Sequence, residues 1–266
     1  MHFLLPVNIE FDYLSRQLNH HLCSRRVDDT MAIRNPIKPK NPLHAAKVSV
    51  VQDLSPRVRC IRLQGPDIVG IEWAAGQKVK VRANGALRSY TPARVDSIQG
   101  WMDIVFFLHG NGPLSQWAAE ASVGEEVHFK GPAKSMPGLE AIPDWAIFLG
   151  DETTIGLAKA MIDALPESVI ALGAVEVDES DVRAIEAFDL PLSPAIRRGQ
   201  HGDPLVRWLE QADIPEGNGM VWLSGEAITV MALRQALNKR TSVHAQIKVK
   251  AYWSVKGHAH RKALGV

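Results

Sequence analysis

The sequence predicts two domains: a six-stranded antiparallel Greek-key β-barrel, then a three-layer α/β domain with a mainly parallel sheet. Six short β-patterned runs with turn residues between them fill the first half, which is typical of a closed antiparallel sheet. Apolar strands alternate with helical patterns in the second half, which indicates a parallel sheet covered by helices. A chain of 266 residues is long enough for two such domains.

Composition narrows the class of protein. Apolar residues make up 46% and charged residues 22%, as in ordinary soluble proteins. A net charge of +1 argues against a nucleic-acid binder driven by bulk charge. No apolar run approaches the roughly 20 residues needed to cross a bilayer, and no signal-peptide cleavage site is evident. We therefore expect a cytoplasmic protein, a monomer, with both cysteines reduced and no metal site at the terminal histidine pairs.

Residues 1–43 differ from the rest of the chain. Leu14, Leu18 and Leu22 have helical spacing, which favours a short amphipathic helix. A Pro- and Lys-rich linker follows at Asn35–Pro42 and should resist regular structure. We interpret this segment as an extension to the folded body, either a partner-binding arm or a loosely packed or disordered end.

The first domain, residues 44–135, carries the β pattern. Short strand-like runs are separated by turn signals such as Asn84-Gly85. The predicted strands are Lys47–Val51, Arg57–Leu63, Gln77–Ala83, Leu87–Thr91, Trp101–Leu108 and Glu126–Lys130. Closing these strands into a barrel would remove exposed sheet edges.

One heptapeptide of this domain, Arg88–Arg94, combines two arginines with a tyrosine and a threonine. In an extended strand every second residue points to the same side, so Arg88, Tyr90, Pro92 and Arg94 would share one face. Guanidinium groups bind phosphate oxygens through paired charge-assisted hydrogen bonds, and a tyrosine can lie against a flat ring. The heptapeptide therefore suits a flavin nucleotide; the alternative is a surface edge strand with scattered arginines.

A glycine-rich turn follows the fifth predicted strand, at His109–Ala118. Its two glycines allow the backbone to approach a ligand closely, and Pro113 is suited to open a helix. The amides of Leu114 and Ser115 would then be free near the positive helix end, which favours phosphate. His109 could orient this loop or lie beside the ligand.

The second domain, residues 136–266, alternates strands and helices. The predicted strands are Trp145–Leu149, Ser168–Val175, Gly219–Ser224 and Ala245–Trp253. Helices are predicted after Gly150–Thr153, over Asp203–Gln211, and from Gly225-Glu226 to about Asn238. Ligands of such sheets bind beyond the carboxyl ends of the strands, so the segments at Gly150–Thr153 and Ser224–Glu226 are candidate binding sites.

Five motifs in this order resemble the siderophore-interacting protein family, which includes ferric-siderophore reductases of the ferredoxin-reductase superfamily. The resemblance covers about residues 46–257. Its motifs are Arg88-x-Tyr90-Thr91-x-x-Arg94, His109-Gly110-x-Gly112-Pro113-x-x-x-Trp117-Ala118, Gly150-Asp151-Glu152-Thr153, Gly225-Glu226 and Tyr252-Trp253-x-x-x-Gly257.

The resemblance implies that the barrel holds FAD, that NADPH or NADH, or in some members ferredoxin, supplies electrons, and that iron is freed from imported siderophores. No catalytic side chain is expected because the flavin carries the electrons. The implied cofactor-binding residues are Arg88, Ser89, Tyr90, Thr91, Arg94, His109, Gly110, Gly112, Pro113, Leu114, Ser115, Trp117, Asp151, Thr153 and Trp253. The implied NAD(P)H-binding residues are Glu152, Thr154, Gly225 and Glu226.

One segment departs from the family pattern. Thr154-Ile155-Gly156 stands where members commonly have Ala-Leu-Pro, and a glycine in place of proline should loosen the helix start. Donor selectivity should lie near Glu176–Asp178. An acidic pair there favours the free 2′-hydroxyl of NADH, whereas Arg183 and Arg197-Arg198 are close enough in sequence to contribute, and the resemblance favours NADPH.

The expected substrate is a ferric siderophore, which is often anionic and should be recruited by basic side chains. The candidates are Lys80, Lys130, Lys134, Lys256 and Arg198. Two other functions stay open: a general NAD(P)H- or ferredoxin-linked flavin reductase, and a non-catalytic siderophore-binding flavoprotein.

Overall fold

The computed structural model describes residues 42–240 and 243–255. The predictions for the N-terminal helix, most of the Pro-rich linker and Lys256 therefore lie outside the described residues. Both predicted sheets are present and belong to one compact unit of the chain. The predicted two-domain fold class is confirmed, while closure of the first sheet into a barrel stays a prediction.

The first sheet is antiparallel and has seven strands, in the order β4-β3-β7-β1-β2-β6-β5. They are β1 (His44–Ser55), β2 (Val58–Gln64), β3 (Lys78–Ala83), β4 (Ala86–Tyr90), β5 (Arg94–Asp96), β6 (Trp101–Phe107) and β7 (Glu126–Ala133). The prediction of six strands is therefore wrong by one. The missed strand, β5, has three residues, which is too short for an alternating pattern to be detected.

Strands from distant positions in this sheet pack their side chains into one core. The ring of Tyr90 in β4 lies 4.5 Å from that of Phe106 in β6, measured between centroids. Helix α1 (Pro113–Glu120) adds Trp117, whose ring meets Phe106 edge-on at 5.5 Å. The sheet is thus curved around a core that α1 helps to fill.

The second sheet is parallel, with strands β8 (Trp145–Asp151), β9 (Ile170–Val177), β10 (Ser193–Ile196), β11 (Gly219–Glu226) and β12 (Ala245–Trp253). Their order is β10-β9-β8-β11-β12. The helices are α2 (Ile155–Asp163), α3 (Arg183–Glu186), α4 (Asp203–Gln211) and α5 (Ala227–Lys239). Four strands were predicted, and the four-residue β10 is an additional edge strand.

Side-chain alternation along β8 explains the three layers. Trp145, Ile147 and Leu149 pack in one cluster with residues of α4 and α5. Ala146 and Phe148 point to the other face and pack with residues of α2. Both faces of the strand are therefore buried, as expected for a central strand of a parallel sheet.

The α2 side of the second sheet packs directly on the first sheet. Val58 and Val105 belong to the same buried cluster as Phe148. Within this interface, a Cβ added to Gly156 would lie 3.1 Å from the carbonyl oxygen of Thr91. Gly156 therefore permits a close contact between α2 and the segment that follows β4, a function that the prediction of a loosened helix start did not include.

Polar contacts reinforce this interface. The guanidinium group of Arg57 binds the carboxylates of Asp178 and Asp181, and Ser55 donates to Asp181 at 2.7 Å. Cys60 is buried beside the same interface, and burial raises the pKa of its thiol to about 12.

No helix in the described ranges is long and apolar enough to cross a membrane.

Candidate functional site

The predicted flavin heptapeptide is divided between two strands. β4 ends at Tyr90 and β5 begins at Arg94, and these strands lie at opposite ends of the sheet order. The prediction of one shared strand face is therefore wrong for Arg94 and Pro92, since Pro92 has no amide hydrogen with which to continue the ladder. Arg88 and Tyr90 do share a face, because they pair with Val81 and Val79 of β3.

Arg88 is available to a ligand beside a fixed tyrosine. Tyr90 is half-buried, and burial raises the pKa of its hydroxyl to about 12, with the positive charge of Arg88 acting in the opposite direction. Arg88 itself is exposed, and its guanidinium group donates to the Leu87 carbonyl at 3.1 Å. Among the described residues it has no carboxylate partner. A cation and a flat ring thus stand together at the edge strand.

The start of α1 offers free amides next to this strand. Its N-cap is Gly112, with φ of 111°, which has no side chain to accept from the helix. Pro113 follows, and the amides of Leu114 and Ser115 have no acceptor within the helix. The N–H of Gly110 donates to Ser115 Oγ at 3.2 Å, which fixes the loop. The helix start predicted from the sequence is therefore present, and its binding of an anion stays a prediction.

His109 orients the same loop. Its Nδ1 accepts from the amide of Asn111 at 3.3 Å, and burial lowers the pKa of its imidazole. A neutral imidazole is the form that can accept at Nδ1. A second hydrogen bond, from Asn84 Nδ2 to the Pro113 carbonyl at 3.4 Å, joins the β3–β4 turn to the helix start.

Two of the predicted cofactor residues support the helix from within the core. Trp117 is 4% exposed, and its Nε1 donates to Glu125 Oε1 at 2.6 Å. The Leu114 side chain is also buried. These side chains therefore position α1, and only the backbone of Leu114 faces the helix start.

Thr91 joins the flavin motif to the second domain. It is buried, and its hydroxyl lies 2.7 Å from that of Tyr252 at the end of β12. Burial raises the pKa of Tyr252 to about 12, so its hydroxyl stays protonated at neutral pH. The contact fixes the end of β4 against the second sheet. Sequence reasoning named both residues but did not pair them.

Arg94 lies in a different environment. Its guanidinium group is 5.3 Å from the centre of the Phe188 ring, in a cavity of about 80 Å³ between the first sheet and the residues that follow α3. Arg62 and Asp103 line the same cavity and form a bidentate pair at 2.7 and 2.9 Å. The structure therefore does not place Arg94 in the loop at the start of α1.

Asp151 connects three strand ends of the second sheet. It is 4% exposed, and its Oδ1 accepts from the Thr153 amide at 3.0 Å. Its Oδ2 accepts from the Glu226 amide and from Trp253 Nε1, both at 2.9 Å. Gly225 has φ of 117°, and a Cβ there would lie 2.4 Å from Oδ2. Burial raises the pKa of Asp151, while these hydrogen bonds oppose the shift.

The predicted NAD(P)H-binding residues Glu152, Thr154 and Glu226 are also buried and form hydrogen bonds within the chain. Thr154 donates its hydroxyl to the Asp151 carbonyl at 2.7 Å. Glu226 caps α5, accepting from the Thr229 amide at 2.9 Å. Glu152 accepts from Arg197 at 2.5 Å, and burial raises the pKa of Glu152 although Arg197 acts in the opposite direction.

Basic side chains gather on the neighbouring strands β3 and β7, and Lys250 of β12 is near enough to Lys78 for their charges to interact. Lys80 pairs across strands with Lys130, and Lys78 and Lys250 influence each other electrostatically. We call Lys78, Lys80, Lys130 and Lys250 the lysine cluster. None of the four has a carboxylate partner among the described residues. Desolvation, followed by the charges of Lys250 and Lys80, lowers the pKa of Lys78.

Two of the lysines predicted to bind the substrate lie in this cluster, and their role stays a prediction. Sequence reasoning named Lys80 and Lys130 and missed Lys78 and Lys250, although alternate lysines in both strands were a usable signal. Lys134 is exposed just after β7. Arg198 follows β10, the edge strand opposite β12, so the structure does not bring it into the cluster.

The family models that match this chain correspond to its two domains. A model described as a siderophore-interacting FAD-binding domain matches residues 72–136, and one described as siderophore-interacting protein matches residues 143–256. Ferric vibriobactin reductase ViuB of Vibrio cholerae is 27% identical over 225 residues, which cover 73% of this chain and 82% of ViuB.

Two further comparisons extend the likeness. An uncharacterized protein of Mycobacterium tuberculosis is 29% identical over 184 residues, which cover 63% of this chain and 64% of that relative's length. The crystal structure of a siderophore utilization protein from T. fusca has a TM-score of 0.71 and 27% identity, covering 82% of this chain and 95% of that chain.

Proposed function

The chain belongs to the siderophore-interacting protein family, and from that premise we propose that it is a FAD-dependent reductase that passes electrons from NADH or NADPH to a ferric siderophore. The observation that carries the proposal is the position of the lysine cluster. Lys80 pairs across strands with Ser89, within the motif of β4. A site for an anion therefore borders the strand expected to hold the flavin.

The residues around β4 and α1 fit FAD. The exposed guanidinium group of Arg88 and the uncapped amides of Leu114 and Ser115 suit a diphosphate. Tyr90 offers a ring held by Phe106. When bound, FAD supplies the chemistry that connects two-electron transfer from a dinucleotide to one-electron transfer to Fe(III). The hydrogen bond between Thr91 and Tyr252 holds the end of this site against the second domain.

The lysine cluster supplies the charge that recruits the substrate. Unpaired lysines that are partly desolvated attract an anionic chelate more strongly than fully solvated ones. One NADH or NADPH carries two electrons and so reduces two Fe(III) ions, one electron each. Fe(II) is the weaker Lewis acid, and the chelate that held Fe(III) then releases it.

The proposal is tested by adding NADH or NADPH and an anionic ferric siderophore to the FAD-loaded protein without oxygen, while trapping Fe(II) with a coloured chelator. We expect two Fe(II) per dinucleotide consumed. The double variant Lys80→Ala/Lys130→Ala should raise KM about tenfold with little change in kcat, since two favourable charges are lost. Lys239→Ala, at an exposed lysine in the last turn of α5, is the matched control. Absence of Fe(II) in the wild-type protein would refute the proposal.

A further inference from the structure

Helix starts at the carboxyl edge of the second sheet are already capped by carboxylates of this chain. Glu226 accepts from the amide of Thr229 at the start of α5. Glu176, at the end of β9, accepts from the amide of Gly202 before α4 at 2.6 Å. A carboxylate in this position uses the same amides and the same positive helix end that a phosphate would use.

The half-buried guanidinium group of Arg197 at this edge also binds carboxylates of this chain. Arg197 donates through Nε to Glu176 at 2.7 Å and through Nη2 to Glu152 at 2.5 Å, and its Nη1 lies 3.5 Å from Asp178. Asp178 is shared in turn with Arg57. Two nitrogens of the Arg197 guanidinium group therefore already donate to carboxylates of this chain, and the third faces a further carboxylate, so a 2′-phosphate would have to compete with three carboxylates for this cation.

The charges in this network do not cancel. Four carboxylates, Glu152, Glu176, Asp178 and Asp181, share the guanidinium groups of Arg57 and Arg197, which leaves two formal negative charges. Arg183 and Arg198 are exposed, where solvent and salt screen their charge. The network also contains a buried acceptor without a partner. Glu152 is 2% exposed, and its Oε1 has no hydrogen-bond donor among the described residues.

We infer that this carboxylate network makes the chain select NADH over NADPH. In doubly wound sheets the adenine ribose binds beyond the end of the second strand, which here is β9 with Glu176 and Asp178. A free 2′-hydroxyl can donate to a carboxylate, whereas a 2′-phosphate meets uncompensated negative charge. The inference rests on the proposed function, because it names the electron donor of the same site.

The test compares binding of NAD⁺ and NADP⁺ to the oxidised, FAD-loaded protein by calorimetry, and the rates at which NADH and NADPH bleach the flavin. We expect NAD⁺ to bind at least about tenfold more tightly than NADP⁺, the effect of one poorly screened charge contact. Glu152→Gln should improve NADP⁺ binding several-fold relative to NAD⁺. Asp178→Asn, at a half-buried position, should act in the same direction if Glu152→Gln does not fold.

Glu140→Gln removes a carboxylate from the exposed pair with Lys248 and is the matched control. Equal or tighter binding of NADP⁺ by the wild-type protein overturns the inference, and so does an unchanged preference in both variants. If neither dinucleotide binds, while photochemically reduced holoprotein still reduces the ferric siderophore, the inference fails and the proposed reductase stands. If NAD⁺ is preferred and no iron is reduced, the inference stands and the proposed reductase activity fails.

Discussion

Replacing Asp151 by asparagine tests how the second domain is held together. The carboxylate accepts from the Thr153 amide and hydroxyl, the Glu226 amide and Trp253 Nε1. Asparagine keeps one oxygen and turns the other into an NH₂ group, so two of the four donors lose their acceptor. A hydrogen bond to a charged group contributes roughly 1.5–3 kcal/mol, and relief of the buried charge offsets part of the loss.

We therefore expect Asp151→Asn to lower the free energy of unfolding by about 3 kcal/mol. The assay is urea unfolding of the FAD-free protein, followed by tryptophan fluorescence. Asp163→Asn removes the half-exposed carboxylate that pairs with the largely buried Lys159 and should cost less, about 1 kcal/mol. Equal stability of the two variants would show that Asp151 is not the connection between strand ends that its hydrogen bonds indicate.

Three further variants address the flavin site and the substrate site. Gly156→Ala places a Cβ 3.1 Å from the Thr91 carbonyl and should weaken FAD binding several-fold in a fluorescence titration; unchanged affinity would contradict the close contact. Trp117→Phe removes the hydrogen bond to Glu125 and should lower unfolding free energy by about 1–2 kcal/mol, with the flavin spectrum retained. Because the pKa of Lys78 is lowered below the usual 10.5, chelate binding should be tightest below that pKa and weaken as pH rises through it. Lys78→Arg should remove that part of the pH dependence in a KM profile.

Long, strongly patterned elements were predictable from sequence. The predicted bounds of α4 (Asp203–Gln211) and β12 (Ala245–Trp253) agree with the structure, because apolar periodicity extends over the whole element. β5 and β10 were missed, since three and four residues carry too little pattern. Tertiary pairing decides whether such short segments form strands.

The individual segments of the candidate site were predictable from sequence, but their positions relative to one another were less so. The glycine-rich helix start at Gly112 needed only local chemistry and is present as expected. The separation of Arg88 from Arg94 depends on how the chain leaves β4 and enters the far side of the sheet, which strand periodicity does not encode. The proximity of Lys78 to Lys250 likewise depends on how two domains that are distant in sequence pack together.

The most direct measurement is the reoxidation of reduced, FAD-loaded protein by a ferric siderophore in a stopped-flow instrument without oxygen. Photochemical reduction makes the starting state independent of the electron donor. The same siderophore loaded with Ga(III), which has similar charge and no accessible reduction, is the control. The proposal predicts rapid return of the flavin absorbance with Fe(III) and none with Ga(III). A flavin that stays bleached with both chelates would contradict the assignment as a ferric-siderophore reductase.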